Sequence, residues 1–306
     1  MMKWIGRGAM ARQHAVAMGK TGVPPSVLWA LAAGALALAG CMTPRTPLMV
    51  AHRGAGDLEM PEASLLAYSN AVATACDIVK LDLLETKDGV AVMGHDNNLR
   101  RSMGWDVRVE DVTYAEIVAH GYFVPVGGQA HERIVRLEEA LDVVKDIPQF
   151  WIDFKQFNPQ FAEKVLATFA NARIDESRLM VATFSEEALA YMQERHPAIR
   201  RIGHVGVWQD EERGFWHSNV CACSRTREEQ IGAVLDWRDR FGLFGVNMRV
   251  LYGITTSADV AFLRRHGLWV SLWFVQSSEK AAEYRDAGAD AFVTDHVSEA
   301  RRGLGL

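Results

Sequence analysis

The chain has 306 residues, 49% hydrophobic and 23% charged, which excludes a disordered polymer and allows one large α/β domain or two small ones. The net charge is −5, and leaving out residues 1–40, which hold Lys3, Arg7, Arg12 and Lys20 and no acid, makes it −9. A body this acidic excludes broad nucleic-acid binding but not a local cationic site for an anionic substrate.

Val27–Gly40 reads VLWALAAGALALAG, an apolar run of signal-peptide length that is too short to span a bilayer comfortably. Lys20 is its positive flank, and a start at Met18 would give the signal an ordinary length. The run ends in Leu38-Ala39-Gly40-Cys41, which resembles a bacterial lipoprotein signal: small residues before a cysteine that is lipidated and becomes N-terminal. The expectation is a signal peptide over 1–40, a lipidated tether over 41–47 stiffened by Pro44 and Pro47, and a single globular body over 48–306. That makes the protein exported and lipid-anchored, held to the membrane through Cys41. Cys76, Cys221 and Cys223 remain. Cys221 and Cys223 are too tightly spaced for an unstrained bridge, since alternate residues lie ~6.5 Å apart along an extended segment. They read as loop thiols.

Along the body, apolar β-rich runs alternate with helical patterns. Leu48–His52 reads as a strand, Glu62–Ala75 as a helix and Asp77–Leu84 as a second strand. Lys87-Asp88-Gly89 is a turn signal leading into a short extra strand, Val90–Gly94. Residues 97–135 read as a polar, irregular insertion. A helix at Leu137–Val144 precedes a strand at Phe150–Phe154, and Pro159 suits the first turn of a helix over Pro159–Asn171. Leu179–Phe184 is a strand, and Ser185 caps the helix Glu186–Arg195. Ala198–His204 is the next strand, followed by a second irregular insertion, Trp208–Arg225. Helix Glu228–Arg240, strand Leu243–Asn247, helix Ser257–His266 and strand Trp269–Val275 complete the pattern, with helix Ser278–Ala287, strand Ala291–Thr294 and helix Val297–Arg302. Eight strands, each followed by a helix, imply a (β/α)8 TIM barrel with two loop insertions. A doubly wound open sheet is the alternative, disfavoured because no glycine-rich fingerprint follows the first strand.

A barrel keeps its chemistry at the C-terminal ends of its strands. There stand His52 and Arg53, then Lys80 and Asp82, then His95, then Asp153 and Lys155. Lys80 and Asp82 are two apart and so share a face, as do Asp153 and Lys155. Burying that many charges is costly unless they pair or bind a ligand. Two imidazoles flanking a cationic pocket suit cleavage of a phosphodiester, one taking a proton and the other giving one, with Arg53 and Lys155 on the phosphate oxygens. His204 and His296 read as scaffold or rim, and Glu85 as pointing away from the pocket.

These pieces resemble the glycerophosphodiester phosphodiesterase family, a TIM barrel related to the phosphatidylinositol-specific phospholipases C. The matching residues are His52-Arg53-Gly54, Pro61-Glu62, Asp82, Thr86-Lys87-Asp88-Gly89, His95-Asp96, Asp153-Phe154-Lys155, Trp273 and Thr294-Asp295. The resemblance implies hydrolysis of glycerophosphodiesters or lysophospholipids to sn-glycerol 3-phosphate and an alcohol. It implies His52 and His95 as acid and base, with Arg53 and Lys155 on phosphate. Glu62, Lys80 and Trp273 then meet the substrate. Asp82 and Asp153 are the metal ligands for Ca2+ or Mg2+. The sequence departs from the pattern at two ligands, with Lys80 where the family has a Glu and Asp153 where it has a longer Glu, and Ala63 replaces the Asn that follows Pro-Glu. The departure puts the cation in doubt and leaves two other readings open. One is a metal-independent phosphodiesterase with Lys80 in place of the cation. The other is a non-catalytic phospholipid-binding lipoprotein.

Overall fold

The computed structural model describes residues 46–54, 60–124, 132–210, 215–220, 226–250, 255–275 and 277–306, with the backbone alone for 207–210 and 215–218. The expected signal segment Val27–Gly40, Cys41, most of the tether, and Cys221 and Cys223 lie outside the described residues.

The strands in chain order are β1 (Leu48–Ala51), β2 (Ile78–Glu85), β3 (Ala91–Met93), β4 (Gln149–Phe154), β5 (Leu179–Thr183), β6 (Arg200–Val205), β7 (Val207–Asp210), β8 (Phe215–Ser218), β9 (Gly245–Arg249), β10 (Trp269–Trp273) and β11 (Ala291–Thr294). Eight of them run parallel in the order β1-β11-β10-β9-β6-β5-β4-β2, and Val50 pairs with Ile78 to close β2 onto β1. This is the expected closed (β/α)8 barrel. β2, β4 and β5 are buried almost end to end, as strands covered on both faces must be. Inside the barrel, Val50, Ile78, Trp151, Met180, Ile202 and Val293 pack into an apolar plug. The main core lies between the strands and the outer helices.

The helices around the barrel are α1 (Leu65–Ala73), α2 (Leu137–Val144), α3 (Pro159–Asn171), α4 (Glu186–Arg195), α5 (Arg227–Phe241), α6 (Ser257–Arg265), α7 (Ser278–Asp286) and α8 (Val297–Gly303). Their starts are set by side-chain caps. Ser64, Asn158 and Ser185 accept from the backbone N–H three residues on, and Thr226 forms a capping box with Glu229. The first helix is shorter than its pattern suggested. Ala63 sits in the left-handed region at φ 59° and Ser64 caps α1, so Glu62 belongs to the turn before the helix and not to its first residue.

The Lys87-Asp88-Gly89 turn does make a hairpin: β3 runs antiparallel to β2, with Leu83 opposite Met93. The insertion over 97–135 differs from its polar reading. Short helices at Arg100–Met103 and Tyr114–His120 close over a second apolar cluster of Leu84, Val92, Leu99, Met103, Val109 and Ile117. These apolar residues have no single period, so neither a helix nor a strand pattern showed them. The second insertion contains a further hairpin, β7 against β8. Two glycines allow close packing near the strand ends: a Cβ on Gly203 would lie 2.1 Å from Trp237, and one on Gly245 would lie 2.4 Å from the Trp269 carbonyl oxygen. Cys76 is a buried free thiol, and burial pushes its pKa up to about 12, so it is chemically quiet.

Candidate active site

β2 and β4 are adjacent parallel strands with Asp82 opposite Asp153. The period of two turns Lys80 and Asp82 inward on β2. On the neighbouring strand it does the same for Asp153 and, just past its end, Lys155. The four side chains meet in a closed ring of alternating charge. Lys80 Nζ bonds Asp82 Oδ1 and lies 2.7 Å from Asp153 Oδ2. Lys155 Nζ lies 2.8 Å from Asp82 Oδ1 and 2.8 Å from Asp153 Oδ2. Both carboxylates are buried. Burial works against their ionisation, but Lys80 and then Lys155 outweigh it and hold both well below the usual carboxylate range. Asp82 and Asp153 in turn raise the pKa of Lys155 despite its burial.

Arg53 follows β1 in a tight turn, His52–Gly54, with the left-handed backbone φ 52°. This conformation is uncommon for a side-chain-bearing residue, and such strain concentrates at functional sites. The turn is held by the Ala63 N–H, which donates to the Arg53 carbonyl at 2.9 Å. Arg53 donates to Glu62 at 2.5 Å, and its Nε lies 4.0 Å from Asp82 Oδ2. Glu62 also accepts from Arg101, which in turn bonds Asp96 at 2.5 Å. Glu62 thus aims Arg53 and ties the first insertion to the barrel mouth.

The two histidines face the same cleft as Arg53, Lys80, Asp153 and Lys155. Each is held through Nδ1 by a carboxylate: His52 by Asp295 at 2.7 Å and His95 by Asp96 at 2.6 Å. With Nδ1–H donated to a carboxylate, each ring keeps its Nε2 lone pair. Burial lowers the pKa of His52. The Asp295 bond opposes that shift, and the Lys80 and Arg53 charges add to it. Burial also lowers His95, with Lys155 adding to the shift. His52 is buried, whereas a third of the His95 side chain is exposed.

Other strands complete the cleft. His204, from β6, has its Nε2 3.4 Å from Asp153 Oδ2. Its Nδ1 lies 3.1 Å from the Asn247 amide nitrogen, and Ser271 donates to Asn247 Oδ1 at 2.9 Å. That chain makes Nδ1 an acceptor, so His204 presents its Nε2–H to Asp153. His204 is therefore part of the site rather than rim. Phe184 and Trp273 form the apolar wall, and the Arg249 guanidinium lies 5.6 Å over the Trp273 ring. Glu85 points out of the barrel, as its parity required, and pairs with Lys164 at 3.1 Å. A larger groove, lined by Asp88, Tyr114, Arg136, Glu138 and Lys164 among others, has no histidine in its lining among the described residues.

All nine residues expected at the site are brought together by the fold. The sequence gives Asp295, Asp96, Asn247 and Ser271 no role and reads His204 as scaffold or rim. Asp96 and Asp295 do stand inside the matched motifs His95-Asp96 and Thr294-Asp295, which is the signal the chain offers for them.

The model of the "Glycerophosphoryl diester phosphodiesterase family" matches residues 52–299. The chain belongs to this family. Among its relatives is a glycerophosphodiester phosphodiesterase of Bacillus subtilis, 29% identical over 83% of this chain and 85% of that protein. A second, from Caldanaerobacter subterraneus, is 23% identical over 81% of this chain and 93% of the relative. The barrel is similar to a solved Oleispira antarctica phosphodiesterase in complex with sn-glycerol 3-phosphate. The TM-score is 0.66 at 18% identity, covering 85% of this chain and 97% of that one.

Glycerophosphodiester phosphodiesterases generally depend on a divalent cation. The donors at the corresponding place here do not fit one. Ca2+ and Mg2+ take several oxygen ligands. Asp82 Oδ1 and Asp153 Oδ2 each accept from two ammonium groups. Asp82 Oδ2 has no hydrogen-bond partner, but a cation, Arg53 Nε, faces it at 4.0 Å. Asp82 and Asp153, expected from the sequence as metal ligands, stand in this structure paired with Lys80 and Lys155.

Proposed function

We propose that this protein is a phosphoric diester hydrolase that cleaves glycerophosphodiesters to sn-glycerol 3-phosphate and an alcohol. The observation that carries the reading is the pair His52 and His95, each oriented through Nδ1 by its own carboxylate, on one cationic cleft. Family membership and the names of the relatives support the substrate class.

Three cations, Lys80, Lys155 and Arg53, line the cleft, the lysines paired with Asp82 and Asp153 and Arg53 with Glu62. Their donors on the cleft side suit the oxygens of a phosphodiester monoanion. Arg53 and Lys155 bind the non-bridging oxygens and stabilise the charge that grows on them as phosphorus becomes five-coordinate. His52 is the base: it is buried and neutral, and Asp295 stabilises the imidazolium that forms. It takes a proton from the attacking water as the water oxygen bonds phosphorus, while the leaving alkoxide takes the Nε2 proton of His95, which enters the step doubly protonated with its Nδ1–H on Asp96. His95 lies nearer solvent, where an alcohol of varied structure can depart. Trp273 and Phe184 pack against the apolar part of the substrate. That wall suits lysophospholipids as well as deacylated glycerophosphodiesters.

We further propose that residues 1–40 are removed on export and that lipidated Cys41 anchors the enzyme to the outer face of a bacterial cell membrane. The sequence Leu38-Ala39-Gly40-Cys41 after an apolar core supports this reading. Fractionation tests it: Cys41→Ser should move the protein from the membrane to the soluble fraction, and an unchanged distribution refutes the anchor.

The function is tested by turnover of glycerophosphocholine, glycerophosphoethanolamine and lysophosphatidylcholine, with glycerol 3-phosphate release measured by coupled assay. His52→Ala and His95→Ala should both abolish release from unactivated diesters. Binding of a diester without release by the wild type favours a purely binding protein.

A further inference from the structure

We propose that the Lys80 ammonium is the resident cation of this centre and that hydrolysis here needs no divalent ion. The proposal rests on the phosphodiesterase reading only for the word hydrolysis. Its cation claim stands on geometry.

Lys80 is on β2, two residues before Asp82, with its side chain 5% exposed. A buried ammonium survives only when its donors are used. Two of its three N–H groups go to Asp82 and to Asp153 at 2.7 Å. The third is left for the cleft, whose wall Lys80 helps to form. Lys155 closes the other side of the ring with 2.8 Å contacts to the same two carboxylates. A divalent ion between Asp82 and Asp153 would therefore have to displace both ammonium groups from their counter-ions. It would then sit beside the two displaced ammonium groups, with the Arg53 guanidinium, held by Glu62, 4.0 Å from Asp82. Like charges this close in a buried site repel strongly.

The other group that reaches the carboxylates also disfavours a metal. His204 could serve as a nitrogen ligand only through a lone pair aimed at the centre. The Ser271–Asn247 chain instead fixes the opposite tautomer, with Nε2–H toward Asp153 Oδ2 at 3.4 Å. Every group touching Asp153 from β2, β4 and β6 thus presents hydrogen, not a lone pair. The ring does what a bound ion would do: it places fixed positive charge at a phosphate oxygen or a substrate hydroxyl. Because the carboxylates stay with the lysines, the charge needs no loading and does not exchange with solvent.

The test uses the purified full chain in two measurements. The first is glycerophosphodiester turnover after exhaustive chelation, with and without added Mg2+, Ca2+ or Mn2+. The rate should stay within about twofold throughout. The second is Mn2+ titration followed by electron paramagnetic resonance, which should show no site tighter than millimolar. Lys80→Glu should create a Mn2+ site visible in the same titration, and any turnover it keeps should become sensitive to chelation. Lys80→Met, which removes the cation without adding a ligand, should lower the rate on the order of 100-fold, and added metal should not restore it. Loss of wild-type turnover on chelation with recovery on adding Mg2+ or Ca2+ overturns the proposal, as does one tightly bound Mn2+ per wild-type chain. If no diester is turned over, the proposed function fails, while the Mn2+ titration of the wild type still decides the cation.

Discussion

His52 and Asp295 are 243 residues apart in the chain, yet His52 Nδ1 and Asp295 Oδ1 lie 2.7 Å apart. β1 and β11 are hydrogen-bonded neighbours with Ala51 opposite Thr294, so the residue after each strand end meets the residue after the other. A carboxylate in this position fixes the tautomer of the base and stabilises its protonated form. Asp295→Asn keeps the shape but loses the charge, and should lower kcat by on the order of 10²–10⁴-fold with KM little changed. Steady-state kinetics on glycerophosphocholine decide it; an unchanged kcat removes His52–Asp295 from the reaction.

The two histidines should separate according to the leaving group. A p-nitrophenolate leaves without protonation, so His95→Ala should keep most of its activity on a p-nitrophenyl diester while losing it on glycerophosphocholine. His52→Ala should lose both, since every substrate needs the nucleophile activated. The reverse pattern would exchange the roles of base and acid.

Both imidazoles have pKa values held below 6.5, chiefly by burial. Activity needs His52 neutral and His95 protonated. As pH falls through the lower of the two values the base is lost, and as it rises through the higher the acid is lost. The profile of kcat/KM is therefore a bell with its maximum below pH 6.5, and an optimum above neutrality contradicts the assignment.

The same shifts set the pH dependence of stability. His52, His95 and His204 are all lowered, so below pH 6.5 the unfolded chain takes up protons before the folded one does. Their contribution is fully present above the unfolded value near 6.5 and is lost as pH falls toward the folded values. Thermal unfolding should show Tm dropping between pH 7 and pH 5. A Tm that stays flat across this interval would show that these rings are not held neutral in the fold.

His204→Leu removes the N–H that faces Asp153 and leaves the Asn247 amide without its partner. An unsatisfied buried group costs about 1–3 kcal/mol, and Asp153 loses one of the groups that position it. His204→Gln restores a donor. Turnover should fall roughly tenfold in the Leu variant and recover in the Gln variant, with the larger change in kcat. Equal loss in both variants would mean that ring volume, and not the N–H, is what the site uses.

The strand-end charges could be read from the chain alone because they obey a local rule. A period of two puts Lys80 with Asp82 and Asp153 with Lys155, whatever lies beside them. The hairpin at Lys87-Asp88-Gly89, the cap Ser185 and the first-turn Pro159 are local in the same sense, and each stands where its residues place it. The apolar cluster under the first insertion was not legible, because Leu99, Val109 and Ile117 share no helical or strand period and meet only through tertiary packing.

By itself, the sequence determined the barrel, the two histidines and the unusual lysine at position 80. Only the tertiary structure decided what that lysine does. Pairing of Lys80 with Asp153 depends on which strands are neighbours and on their register, as do Asp295 behind His52 and His204 against Asp153. Local periodicity says which face a side chain takes but not which strand it will meet. Closing the barrel brought together residues from β1, β2, β4, β6, β9, β10 and β11. In doing so it turned two candidate metal ligands into the counter-ions of two lysines.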